Sequence, residues 1–175
     1  MFGFFKRRKQ KGAEARSKAA ATSEDTAPGT RIRFHPELVP ELLDDHQVLL
    51  KLFGEIAEAN KLGEFEKLPG MLREFGNVLR GHLLKENVKL YIYLQHALAN
   101  DPDNAALMQG FRTEMHGISK AVTKFLKHYG QKEWDQQRRE QFGVDLEAIG
   151  GVLVKRIDTE EEVLYPLYMP PGSYI

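Results

Sequence analysis

The chain contains no cysteine. Disulfides, thiol nucleophiles and iron–sulfur clusters held by thiolates are excluded with it. Net charge is also missing, since 25 Lys and Arg balance 25 Asp and Glu. The balance is uneven along the chain: residues 1–30 hold seven Lys or Arg against three Asp or Glu, which leaves 18 against 22 for residues 31–175. A main body with an acidic surplus is a poor match for a phosphate backbone, so nucleic acid is not an expected partner. Long apolar runs are absent as well, and no stretch approaches the roughly 20 apolar residues that cross a bilayer. The opening segment places Met1, Phe2, Phe4 and Phe5 ahead of Lys6, Arg7, Arg8 and Lys9. A secretory signal has the reverse order and a longer apolar stretch, so the cytoplasm is the default expectation.

What remains is a chain of 175 residues, 42% of them apolar, which suits one globular domain with a real core. Residues 1–34 are rich in Ala, Lys, Ser and Thr and show no sustained apolar period, which predicts a flexible basic tail. A weak contact with an anionic membrane surface or a partner protein is the interaction such a tail suits. Residues 35–175 read as the folded domain, a series of helical stretches divided by breakers. The first starts near Pro36 or Pro40, carries Leu38, Leu42, Leu49, Phe53 and Ile56 at helical spacing, and ends by Gly63. The second runs from about Pro69 to Leu98 and stops at Asn100-Asp101-Pro102-Asp103. The third carries Leu107, Phe111, Met115, Ile118, Val122 and Phe125 and closes at Gly130. The fourth begins near Trp134 or Asp145 and reaches Tyr165 before Pro166. Nothing alternates as a strand would, so the expected fold is an all-α, up-down-up-down four-helix bundle.

The second half echoes the first. His82, Glu86, Leu90 and Tyr91 line up with Arg156, Glu160, Leu164 and Tyr165, and Leu49, Phe53 and Ile56 line up with Ile118, Val122 and Phe125. Two related helical hairpins would pack about a pseudo-twofold axis and bring matching positions to one centre.

Several polar side chains share the apolar faces. At about 100° per residue, His46 falls within about 30° of its stripe's centre. Glu86 and Glu160 fall roughly 20° from Leu79 and Leu153, and His82 and Arg156 roughly 60° from them. Buried groups of this kind require compensation, either by a metal or by one another. A His and a Glu four apart on one helix can chelate an ion, and carboxylates from facing helices can bridge two. A metal-free salt-bridge network centred on Arg156 is the competing reading.

The pattern resembles the hemerythrin-like HHE cation-binding domains over residues 36–168. His46 in Asp-Asp-His, His82 with Glu86, and Glu160 ahead of Leu-Tyr-Pro match that family's metal-binding positions. The resemblance implies non-haem iron, with binding of O2 or NO or the sensing of oxygen, iron or redox state. A role in repairing iron–sulfur clusters is disfavoured, because such relatives carry a cysteine-bearing N-terminal region. Two positions depart from the pattern. Arg156 stands where the family has a fourth-helix histidine and cannot ligate a cation. Met115 takes the inward place on the third helix, flanked by Glu114 and His116. His116 counts roughly 140° away from its stripe, which leaves Glu114 as the better substitute ligand.

The expected metal ligands are therefore His46, His82, Glu86, Glu114 and Glu160, holding one iron ion in preference to two. The alternative function is a metal-free interaction or signalling module. No general acid, nucleophile or substrate cleft is evident, and an oxidase or peroxidase would need a pocket wider than a diatomic molecule. His35, His96 and His128 fall near helix ends and read as structural or solvated, as do Glu161 and Glu162. Trp134 is expected to cap the bundle end, and Tyr91, Tyr93, Tyr165 and Tyr168 to pack at one end of the core.

Overall fold

The computed structural model describes residues 25–131 and 133–174. Helix α1 spans Leu38–Lys61 and α2 spans Leu68–Lys85. A five-residue π-helical turn, Glu86–Leu90, joins α2 to α3, Tyr91–Ala97, and the three run on as one rod. Helix α4 covers Pro102–Tyr129, α5 covers Gln136–Thr159, and a second π turn, Glu160–Leu164, follows α5. Among the described residues there is no strand, only an isolated bridge between Thr26 and Arg33. The fold is an all-α four-helix bundle.

The ends follow local chemistry. Asp101 and Asp135 lie in extended backbone and accept the amides of Asn104 and Arg138, which starts α4 and α5. The fourth helix thus begins at Gln136, immediately after Trp134. Gly63, after α1, has φ of 71°, a conformation open to glycine at little cost. Helix α1 packs on α2 and α5, and α4 packs on α2, α3 and α5, which closes the ring of four.

Two apolar layers fill the ring. One holds Leu49, Ile56, Leu72, Phe75, Phe125 and Phe142, with Trp134 capping it against Phe142 and donating its indole N–H to Gln131. The other holds Leu42, Leu94, Phe111 and the four tyrosines Tyr91, Tyr93, Tyr165 and Tyr168. Each fully buried large side chain contributes about 1.5–3 kcal/mol. Leu107 does not belong to the core. It is 40% exposed, and Met108, one residue on, is buried in its place.

Part of the stretch read as a tail is packed. Residues 25–34 form a turn in which Ala27 N–H donates to Ile32 O, and Phe34 stacks on Tyr168 at 4.8 Å. Ala27 is fully buried. The packed part therefore includes residues 25–34, ahead of residue 35. The tail reading of residues 1–24, with its membrane contact, lies outside the described residues.

Candidate metal centre

Between the apolar layers lie five buried polar residues: His46, His82, Glu86, Arg156 and Glu160. His46 comes from α1, His82 from α2, Arg156 from α5, and the glutamates open the two π turns. One ligand atom each from His46, His82 and Glu160 lie within 4.8 Å of one another. His46 Nε2 is 3.3 Å from Glu160 Oε2, and the two imidazole centroids are 4.7 Å apart. His82 Nε2 faces Glu86 Oε2 at 3.8 Å, and that oxygen is buried with no hydrogen-bond partner. A buried carboxylate oxygen left open beside an imidazole nitrogen is what a missing cation would explain.

A carboxylate lies beside each outer nitrogen, hydrogen-bonded to it only at His46. His46 Nδ1 is 2.7 Å from Glu161 Oε1. Glu161 is therefore drawn onto the site at 32% exposure, where the sequence reading left it solvated. His82 Nδ1 is 3.5 Å from Asp45 Oδ2, and Lys85 holds Asp45 at 2.7 Å. The Glu161 contact selects the His46 ring orientation and raises the basicity of its inner nitrogen, whereas His82 Nδ1 and Asp45 Oδ2 make no hydrogen bond.

Electrostatics separate the two histidines. Burial disfavours a charged His46, but Glu160 and Glu161 outweigh it and hold its pKa above the usual range. Burial, with the charge of His46 added, lowers His82 to about 4. At neutral pH His82 is thus an uncharged imidazole with a lone pair available for a metal, whereas His46 must give up a proton before it can ligate one. Burial and the neighbouring Glu160 push Glu86 up to about 8.

The π turns supply two hydroxyls that counting at 100° per residue misses. Tyr91 N–H donates to Glu86 O, and Tyr165 N–H donates to Glu160 O, both five residues back. A straight α-helix would put each tyrosine about 140° from its glutamate. The wider turn brings it back to the same face. Tyr165 OH donates to Glu86 Oε1 at 3.2 Å and lies 3.2 Å from His46 Nε2. Tyr91 OH accepts from Arg156 at 2.9 Å. Burial raises the pKa of both phenols, so both stay protonated. The repeated Glu-to-Tyr spacing was the available signal.

A family model for the hemerythrin HHE cation binding domain matches residues 37–168. The chain belongs to that family. Comparison with curated proteins and with solved structures gives no match. Metal binding is a property of hemerythrin-type domains, and the His46, His82 and Glu160 group is a candidate centre for it.

The half of the centre built by α4 and α5 is chemically different. Arg156 Nε donates to Glu160 Oε1 at 2.5 Å, and a terminal nitrogen reaches Glu114 at 3.2 Å. Its guanidinium carbon lies 4.8 Å from the Phe111 ring centroid. Glu114 is itself 59% exposed and turned to Arg156. Met115 is buried at the cavity wall, and His116 is exposed, as its phase predicts. Thus His46, His82, Glu86 and Glu160 converge, while Glu114 stands apart as a partner of the guanidinium.

Beside the histidines lies a cavity of about 30 Å³. Apart from the polar groups at its end, its walls are apolar, including Leu49, Phe53, Leu79, Met115 and Leu153. No helix among the described residues is long and apolar enough to cross a membrane.

Proposed function

We propose that the protein binds one non-haem iron ion through His46, His82, Glu86 and Glu160 and offers it to dioxygen or nitric oxide, reporting oxygen, iron or redox state in the cytoplasm. The observation that carries this reading is the open Glu86 Oε2 facing His82 Nε2 at 3.8 Å, next to the His46–Glu160 pair. Iron, when bound, supplies an open coordination position and two accessible oxidation states. The chain's own residues do the rest. Glu161 orients the His46 imidazole, Asp45 places negative charge 3.5 Å from His82 Nδ1, and Tyr165 holds a proton within 3.2 Å of both His46 and Glu86. The cavity has room for about two waters, the size of a diatomic ligand and smaller than most organic substrates. Its apolar wall limits water entry. Arg156 takes the place of a second cation, because its three nitrogens are already engaged by Glu160, Glu114 and Tyr91.

The same engagement supports the second reading, a metal-free interaction module in which Arg156 alone compensates the buried carboxylates. Elemental analysis of protein purified without oxygen, with an optical spectrum after exposure to air, separates the two. The first reading expects close to one iron per chain, lost in the His46→Ala, His82→Ala double variant. Equal trace metal in both would leave the metal-free module. Arg156→His, alone and with Met115→His, should raise the iron content toward two, and unchanged content would remove the role given to Arg156.

A further inference from the structure

The pseudo-twofold axis relates two seams of the bundle, the one between α1 and α5 and the one between α2 and α4. Their glycines match: Gly150 in the first and Gly76 in the second, at the same spacing as Arg156 and His82. In the α1–α5 seam the Phe53 ring lies over Gly150, 2.6 Å from where a Cβ would stand. Val122 is the counterpart of Phe53 in the α2–α4 seam and is much smaller. That seam stays open. Two hollows of about 470 and 480 Å³ lie along it and meet at Leu83 and Ser119.

The open seam is basic. Arg73, Arg80 and Lys127 line one hollow, Arg112 and His116 line the other, and no Asp or Glu lines either. Among the described residues, Arg73, Arg112 and Lys127 form no ion pair, and Arg80 reaches only Asn77. The matching positions in the closed seam are Glu147 for Arg73, Val154 for Arg80, Glu58 for Lys127 and Leu43 for Arg112. The floor is apolar, with Leu72, Leu79, Val122 and Leu126. The positive surplus therefore belongs to the open seam and not to its closed twin, in a main body whose Asp and Glu outnumber its Lys and Arg.

We infer that the α2–α4 seam is a docking groove for an acidic amphipathic helix of a partner protein. Gln109 to Lys127 covers 19 residues of α4, a rise of about 27 Å, enough for five turns of such a helix. Its apolar face would cover Leu83 and Leu126, and carboxylates on its flanks would meet Arg73, Arg80, Arg112 and Lys127. The groove ends at Tyr91 and Met115, which also border the metal centre.

Fluorescence anisotropy of the full chain with a labelled 18-residue Glu/Leu amphipathic peptide tests this. The expected result is saturable binding at least tenfold tighter than for a scrambled peptide of equal composition, weakening as salt rises. Arg73→Glu with Lys127→Glu should weaken it at least tenfold, and so should Thr123→Trp, which fills the groove without changing charge. Lys51→Glu with Lys61→Glu, on exposed α1 positions, should leave it unchanged. The basic residues of 1–24 are the same in every variant, so differences read the groove. Circular dichroism confirms folding of each. Equal binding of the scrambled peptide, or equal loss in the α1 control, would overturn the inference. Vesicles of phosphatidylglycerol that bind through the same cations while the peptide does not would also overturn it, in favour of a lipid surface.

Discussion

His82 and Arg156 occupy matching places, each four residues before a buried glutamate and nine before a buried tyrosine, and they behave in opposite ways. His82 keeps an unbonded nitrogen toward an unbonded carboxylate oxygen. Arg156 spends its donors on Glu160, Glu114 and Tyr91. Around them the support is parallel, with Asp45 behind His82 and Glu114 behind Arg156. The same backbone frame thus makes a half with groups suited to a metal ion and a half that carries its own cation. The difference at this one position matters because the carboxylates around it need positive charge from some source.

The comparison breaks most severely at Arg156. Arg156→Met leaves Glu160 buried beside no fixed cation, and in metal-free protein the expected loss is about 3–5 kcal/mol by urea denaturation. His82→Met, the same change in the other half, should cost within about 1 kcal/mol, because a neutral imidazole is replaced by an apolar group. Equal losses would show that the two halves are not electrically distinct.

Next in size are the supporting carboxylates. Asp45→Asn should weaken metal binding about 10–100-fold in a competition titration. Glu114→Gln should leave the metal affinity within about twofold, as its carboxylate serves Arg156.

The seams give a smaller contrast. A Cβ at Gly150 meets the Phe53 ring at 2.6 Å, whereas one at Gly76 meets only the tip of the half-buried Leu126 side chain at 2.9 Å. Gly150→Ala should destabilise by about 1–2 kcal/mol in thermal unfolding. Gly76→Ala should change stability by less, since better helix propensity offsets the contact by about 1 kcal/mol.

The smallest effect is at a contact with no counterpart in the other hairpin. Tyr129 OH donates to Asp145 at 2.6 Å, and the equivalent positions hold Asn60 and Met71. That hydrogen bond keeps the Asp145 pKa below the usual carboxylate range. A lowered carboxylate contributes stability above its unfolded pKa and loses it as the folded group is protonated. Tyr129→Phe should therefore cost about 1 kcal/mol near neutrality. Its difference from wild type should shrink as pH falls below about 4.

Much of this was legible in the one-dimensional pattern. Helical spacing of Leu42, Leu49 and Ile56, the Asn100–Asp103 breaker and Gly130 define amphipathic helices, and the bundle follows from the need to bury their stripes. The inward phase of His46, His82, Glu86, Arg156 and Glu160 was also legible, since each counts onto an apolar face. Leu107 was misplaced by one position: it and Met108 count to opposite edges of the same stripe, about 40° and 60° from Phe111, and it is Met108 that packs inward. The four tyrosines pack in one end layer as expected, but Glu161 was left solvated and the reach of the Tyr91 and Tyr165 hydroxyls to the polar cluster was not read. Phase counting assumes a uniform helix, and two π turns shift everything after Glu86 and Glu160 by a fraction of a turn.

The sequence by itself determined the helices, the duplicated frame and the absence of a histidine at position 156. Those are properties of spacing and of side-chain identity. Only the tertiary structure decided that Arg156 is satisfied by carboxylates from two helices, that Glu86 Oε2 is left without a partner, and that one seam is filled by Phe53 while its twin is open. Each of these depends on distances between separate helices, which periodicity along one helix does not encode.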